Sequence, residues 1–333
     1  MKTKIGLIGA GSWGTALANM LATNGHETKI WDIDTNVIND MESQRENKKY
    51  LPGVKLADNL EIADTNAAAA NDAEIVIFAV PTQHFRTALT SVLPKLDKET
   101  IILNVAKGIE QKSLNTISTI AAETAPENDY AVLSGPSHAE EVGKFIPTSV
   151  AVASKDIKIA EKIQDVFLTE HFRVYTNDDV IGLELGGALK NIIALGTGIS
   201  DGMGFGDNTK AALMTRGIAE MMRLGVALGA KAGTFSGLAG IGDLIVTCTS
   251  VHSRNRRCGI MIGEGIDPQD AVKRIGMVVE GYFTASAAVK LAEENGVEMP
   301  ITENVYEVIE CKKKPLEALS SLMTRPKRHE TAF

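Results

Sequence analysis

Short, β-branched-rich runs punctuate the first half of the chain: KIGLI (4–8), TKIWD (28–32), EIVIFAV (74–80), TIILNVA (100–106), YAVLSG (130–135) and SVAVAS (149–154). Their nearly continuous apolarity predicts strands buried on both faces, as in a parallel sheet. Helix-like segments lie between them. TALANMLATNG (15–25) stops at Asn24–Gly25, as a helix C-terminus should. The alternation predicts an N-terminal α/β domain over 1–177 with a doubly wound, mostly parallel sheet. From Asp178 the periods lengthen, and helices are expected over 178–200, 208–230, 284–296, 300–311 and 315–323. Asn177 or Asp178, and Asp207 or Asn208, are candidate caps, while Pro300 and Pro315 suit first-turn positions. The Met/Leu/Ile spacing is that of a bundle core, so a C-terminal all-α domain is expected over 178–333. The boundary is a helix start rather than a flexible tether. Two glycine-rich stretches, 196–208 and 237–257, read as loops between the helices.

Composition changes this picture little. A length of 333 residues agrees with two domains, and 44% hydrophobic with 23% charged residues is ordinary globular usage. The formal net charge of −8 argues against non-specific binding to nucleic acid or an anionic membrane. An anionic ligand would need locally gathered positive charge. Cys248, Cys258 and Cys311 lie far apart with no C-x-x-C pair, which favours free thiols in a reducing compartment over disulfides or a metal site. MKTKIGLIGAG lacks a cleavage pattern and no stretch reads as a membrane span, so a cytoplasmic protein without membrane insertion is expected.

Candidate chemistry begins at the first crossover. Gly9, Gly11, Ser12, Trp13 and Gly14 belong to GAGSWG, which directly follows a strand and opens a helix. Glycines there allow a tight turn and close approach of backbone to a pyrophosphate, and the helix N-terminus favours the anion. A glycine-rich packing turn is the alternative. Asp32 ends the next strand at about the ~20-residue offset of a ribose-binding acid. A carboxylate there accepts from a ribose 2′-OH and repels a 2′-phosphate, so NAD is favoured over NADP. Arg45, Lys48 and Lys49 read as a solvated basic helix end. Lys107 and the turn SGPSHA, with Gly135, Ser137, His138 and Ala139, lie beyond further strand ends, where open α/β sheets bind ligands. Lys107 is equally readable as an exposed loop lysine, and His138 as a structural histidine.

In the second half SRNRR concentrates cations in an acidic chain, and Arg254 with Asn255 is the pair assigned to a ligand phosphate. Arg256 or Arg257 reads as a solvated face. Lys190 and Asn191 sit inside the apolar stretch IGLELGGALKNIIAL. Lysine is rarely buried without a partner, so Lys190 either snorkels, pairs with a carboxylate or does chemistry. Gly186 and Gly187, one turn earlier, read as space for a ligand.

GAGSWG, VAKG, LSGPSHAEE, ELGGALKN, GIGDL, TCTSVHSRN and MVVEG follow one another along nearly the whole chain. Together they resemble the NAD(P)-dependent sn-glycerol-3-phosphate dehydrogenases. The resemblance implies a Rossmann-like domain with a helical domain and reversible reduction of dihydroxyacetone phosphate, a small-molecule phosphate substrate, for phospholipid synthesis. A homodimer is the assembly expected, though the sequence itself does not report oligomeric state. Carried over by position, cofactor contacts fall on Ser12, Trp13, Lys107, Ala139, Arg254, Val278 and Glu280. Substrate contacts fall on Lys107, Gly135, Ser137, Lys190, Asp243, Ser253, Arg254 and Asn255; beside them, the chemistry of the cleft adds Asn191, to hold substrate hydroxyls or to support the cleft. Catalysis falls on Lys190 as proton carrier, with Asp243 and Lys107. Asp32-Ile33-Asp34 departs from the histidine or arginine that many relatives have after the second strand, which bears on NADP use and not on the reaction. The competing readings are another Rossmann-plus-helical 3-hydroxyacid-type dehydrogenase and a non-catalytic dinucleotide sensor.

Overall fold

The computed structural model describes residues 2–327 and 329–330. The chain divides into two compact units, one of residues 1–106 and 117–180, the other of residues 107–116 and 181–333.

The first unit carries β1 (Lys4–Ile8), α1 (Ser12–Thr23), β2 (Glu27–Trp31), α2 (Thr35–Gln44), β3 (Glu61–Ile62), α3 (Asn66–Ala70), β4 (Ile75–Phe78), α4 (Phe85–Val92), β5 (Ile101–Asn104), α5 (Ile117–Thr124), β6 (Tyr130–Ser134), α6 (Ala139–Val142), β7 (Thr148–Ser154), α7 (Ile157–Phe167) and β8 (Phe172–Asn177). They form one sheet of order β3-β2-β1-β4-β5-β6-β7-β8. Its first six strands have the 3-2-1-4-5-6 order of dinucleotide-binding domains. All pairings are parallel except β6 with β7. That reversal follows from its connection, which holds only the one-turn α6 and no helix long enough to carry the chain back over the sheet. Central strands such as β4 and β5 are buried at every position, as their unbroken apolar runs require. Gly6 of β1 lies so close to α3 that an added Cβ would stand 2.2 Å from the Ala69 carbonyl oxygen.

The second unit carries α8 (Val180–Gly202), α9 (Asp207–Ala227), α10 (Asp243–Thr249), α11 (Arg254–Gly263), α12 (Pro268–Ile275), α13 (Glu280–Glu294), α14 (Pro300–Ile309) and α15 (Pro315–Met323). Its core includes Leu185, Leu189, Ile192 and Ile193 of α8 packed with Met221, Leu224, Leu244 and Cys248. Ile109 from the segment 107–116 is buried in this same core. Among the described residues α8 is long and apolar enough to cross a membrane, contrary to the expectation from sequence. It is instead the central helix of the unit, with 94% of its most apolar window buried in protein.

Both glycine-rich stretches are more helical than the loops expected, and the helix expected over 178–200 runs on to Gly202. Residues 196–202 complete α8, and 237–249 form a wide helical turn (Leu238–Gly242) running into α10. Some of these glycines serve helix packing, while Gly204 and Gly206, past the end of α8, have open space beside them. A Cβ on Gly198 would stand 2.1 Å from the Arg256 carbonyl oxygen, and one on Gly259 2.2 Å from that of Leu195. Gly186 likewise faces protein rather than ligand space, with the Ala239 carbonyl oxygen 2.5 Å from where its Cβ would lie.

Candidate active site

In the first unit the turn after β1 is built from backbone. Gly9 has φ +105°, a left-handed conformation that side chains resist, and its amide donates to the Trp31 carbonyl at 2.8 Å. Gly14 packs α1 against the turn, where a Cβ would lie 2.0 Å from the Gly9 carbonyl oxygen. Gly11 is different, because a Cβ there would meet nothing within 4 Å. The three glycines thus divide into a turn former, an open approach and a packing contact, the division a pyrophosphate-binding turn requires. Gly11 caps α1 without any side-chain hydrogen bond, so its N-terminal amides face outward unspent by a capping side chain.

Asp32, just past β2, braces this turn. Its Oδ2 accepts from the Ala10 amide at 2.6 Å and its Oδ1 from the Asp34 amide at 2.8 Å. Asp34 caps α2 through the Asn36 amide and pairs with Lys49 at 2.7 Å. Arg45 is not part of a solvated helix end. Its guanidinium donates to the carbonyls of Ala57 and Leu60. Ser12 donates to the Tyr50 carbonyl at 2.7 Å, and the Trp13 ring lies 6.4 Å from Phe172 with its indole N–H buried and without a partner among the described residues. Gly135 has φ +142°, Ser137 Oγ donates back to its carbonyl at 2.9 Å, and Ala139 is the first residue of α6.

The second unit holds a buried charge cluster. Asp243 stands where the wide helical turn runs into α10. Its Oδ1 accepts from Lys190 Nζ and its Oδ2 from Lys107 Nζ, both at 2.7 Å. Lys190 and Asp243 are 6% and 1% exposed. Lys190 is therefore no snorkelling surface lysine, since its ammonium ends in the core. Thr247, one turn after Asp243, accepts from Lys190 Nζ at 2.7 Å while donating to the Asp243 carbonyl at 2.6 Å. Sequence reasoning missed Thr247; its i,i+4 spacing from Asp243 was the available signal. Burial lowers the Lys190 pKa to about 8, with the Lys107 charge adding to the effect and Asp243 opposing it. Burial pushes Asp243 the other way, yet the two lysines outweigh it and hold the carboxyl below the usual range.

Around this cluster runs a chain of amides. Asn191 Nδ2 donates to the Lys107 carbonyl at 3.1 Å, fixing the segment that presents Lys107. Asn255 Nδ2 donates to Asn191 Oδ1 at 3.0 Å, and Asn255 Oδ1 accepts from the Gly281 amide at 2.9 Å. Gly281 allows the approach, because a Cβ there would lie 2.4 Å from the Asn191 carbonyl oxygen. Ser253 caps α11 by accepting from the Arg256 amide, and Arg254 donates to the Val278 carbonyl at 3.1 Å. Glu280 is the first residue of α13. Arg256 is not a solvated cation, for Asp201 accepts from its Nε and its terminal nitrogen at 2.8 and 2.7 Å. Thus α8, α10, α11 and the segment 107–116 bring together Lys107, Lys190, Asn191, Asp243, Arg254 and Asn255, while Gly9 to Gly14, Asp32, Gly135, Ser137 and Ala139 belong to the first unit.

Comparison with known proteins agrees along the full chain. Residues 4–160 match the family model described as the NAD-dependent glycerol-3-phosphate dehydrogenase N-terminus, and residues 179–320 match that of its C-terminus. A glycerol-3-phosphate dehydrogenase of the NAD(P)+ type from Geobacillus kaustophilus is 54% identical over 98% of this chain and 96% of its own. One from Pelotomaculum thermopropionicum is 51% identical over 99% and 95%. The crystal structure of glycerol-3-phosphate dehydrogenase from Coxiella burnetii superposes with a TM-score of 0.94 at 38% identity, covering 97% of this chain and 99% of that one. With its glycine turn, its mostly parallel sheet and its helical second unit, the chain belongs to the NAD-dependent glycerol-3-phosphate dehydrogenases, oxidoreductases that use NAD or NADP.

Proposed function

We propose that this chain interconverts dihydroxyacetone phosphate and sn-glycerol 3-phosphate, with Lys190 carrying the proton. One observation carries the reading: two ammonium groups converge on a single buried carboxylate and gather positive charge inside the unit. Charge so placed stabilises a carbonyl oxygen as it becomes an alkoxide, as that of a phosphorylated ketone does on reduction. Lys190 has three N–H donors, and Asp243 and Thr247 take two of them, so the third is available to that oxygen. With its pKa near 8, Lys190 is mainly the proton donor in reduction at neutral pH and accepts the proton back in oxidation. Lys107, held by the other oxygen of Asp243, adds positive charge for the developing alkoxide.

Arg254 and the first-turn backbone of α11 suit the phosphate. The Asn255 side chain is spent on Asn191 and Gly281, which gives it a supporting part rather than a direct grip. On the first unit, Gly11 leaves room for a pyrophosphate, and the Asp32 carboxylate favours NAD over NADP by its charge. Bound nicotinamide dinucleotide supplies the hydride. On this reading residues 1–177 bind the cofactor, and residues 178–333 together with Lys107 bind the substrate. The product is a polar backbone for phospholipids. A reducing cytoplasm suits the free cysteines 248, 258 and 311, and a homodimer, read by sedimentation velocity, is the assembly we assign.

Steady-state kinetics with dihydroxyacetone phosphate test this reading. The expected result is turnover with a higher kcat/KM for NADH than for NADPH. Oxidation of NADH only with keto acids, and none with dihydroxyacetone phosphate, would overturn it.

A further inference from the structure

We propose that Asp201 is a positioning residue for substrate binding, acting through Arg256 on the first turn of α11. The inference rests on the reading that this turn, with Arg254 and Asn255, meets the substrate phosphate.

The first turn of α11 has an unfavourable charge pattern. Arg254, Arg256 and Arg257 crowd the positive end of the helix dipole, and no acidic residue stands in that turn. Only the Ser253 cap opposes fraying from within the helix. The counter-charge comes from α8. Asp201 Oδ2 accepts two hydrogen bonds from the Arg256 guanidinium, and Asp201 Oδ1 pairs with Lys210 of α9 at 3.0 Å. One carboxylate therefore ties α8, α9 and α11 together. The side chains of Asp201, Arg256 and Lys210 are only 13%, 16% and 16% exposed, so solvent screens this tie far less than a surface pair.

The glycines explain why the tie sits there. Gly198, Gly202, Gly259 and Gly263 let α8 and α11 approach until backbone faces backbone, with would-be Cβ atoms 2.1 to 2.2 Å from carbonyl oxygens of the other helix. Backbone contact sets the distance between helices but fixes no side-chain register. The Asp201–Arg256 fork supplies that register one residue beyond Asn255. Asn255 then meets Asn191 at 3.0 Å, beside Lys190 on α8. Asp201 thus holds the phosphate-facing turn in register with the lysine that carries the proton, without touching substrate.

The test compares wild type with D201N, R256K, R256Q and the double variant D201N/R256Q. The readouts are kcat, KM for dihydroxyacetone phosphate, the dissociation constant for NADH and the thermal midpoint. D201N is expected to raise KM for dihydroxyacetone phosphate about tenfold and to leave NADH binding within about twofold. The double variant should be no worse than the poorer single variant, because the Asp201–Arg256 interaction is already missing from each single variant. R256K keeps the charge without the fork and should fall between wild type and R256Q. Unchanged KM in D201N and R256Q, or a lowered thermal midpoint as their sole effect, would overturn the proposal. If D201N fails to fold, the same comparison of KM between R256K and R256Q decides it. Wild-type protein inert toward dihydroxyacetone phosphate would instead sink the functional reading, a separable failure.

Discussion

On the proposed reading, the glycine turn after β1 and the lysine–aspartate cluster of α8 and α10 each meet an anion, by opposite means. The turn aims no charged side chain at the anion. It offers amides at the start of α1, an open Gly11 and one bracing carboxylate on Asp32. The cluster spends two lysines and one aspartate in a site where Asp243 is 1% exposed. Backbone donors suit a group that binds and leaves unchanged, because they have no protonation state to lose. A buried amine suits a group whose oxygen changes charge during turnover, because burial brings its pKa near the working pH.

Substitutions should separate these two kinds of site. Lys190→Ala should cost about a thousandfold in kcat while NADH binding, measured by fluorescence titration, stays near wild type. Near wild-type kcat would break the assignment of the cluster to chemistry. At the turn, Gly11→Ala meets no protein atom, so its thermal midpoint should hold while the dissociation constant for NADH rises about tenfold or more. Gly14→Ala should do the reverse first and lower the thermal midpoint, since its Cβ would strike the Gly9 carbonyl oxygen. Equal effects of the two on stability would contradict the division of labour among the glycines. Thr247→Val removes one acceptor from Lys190 and should lower kcat about tenfold, with the pH profile moved to lower pH.

Away from the chemistry, Glu220 shows what a buried acid does when it only holds structure. It accepts from the amides of Ile301 and Thr302 and from the Thr302 hydroxyl at the start of α14, and burial raises its pKa to about 7. The folded state holds this proton more tightly than the unfolded chain. Its contribution to stability is therefore full below the ordinary carboxylate pKa and is lost as pH rises through about 7. Glu220→Gln should flatten that part of the stability–pH curve in denaturant titrations without changing KM. An unaltered slope would show that another group sets it.

The contrast also governs what the sequence reveals. The glycine turn is local, so strand, G-x-G-x-x-G and Asp32 stand in readable order. The cluster joins residues 53 and 136 positions apart, and spacing says nothing about such contacts. Family resemblance pointed to its members; it did not reveal that Asp243 serves both lysines or that Thr247 holds Lys190. The strand β8 escaped notice because FRVYTN alternates buried and exposed positions at the sheet edge and carries Arg173 and Tyr175 outward. Glycines misled in 196–202 and 237–249. They read as loop, whereas close helix contacts demand Gly198 and Gly202, and Gly240 packs on the Phe235 backbone of the turn before it. Asp201 carried no motif, and its part follows only from the partner that packing brings to it.

The central claim is that Lys190 carries the proton, and the pH dependence of kcat/KM for dihydroxyacetone phosphate reduction tests it most directly. Measured with saturating NADH from about pH 7 to 10, it reports essential groups of the enzyme before the ketone binds. With the Lys190 pKa at about 8, reduction should fall as pH rises through that value, and glycerol 3-phosphate oxidation should rise through the same range. A profile flat across that range in both directions would contradict the account.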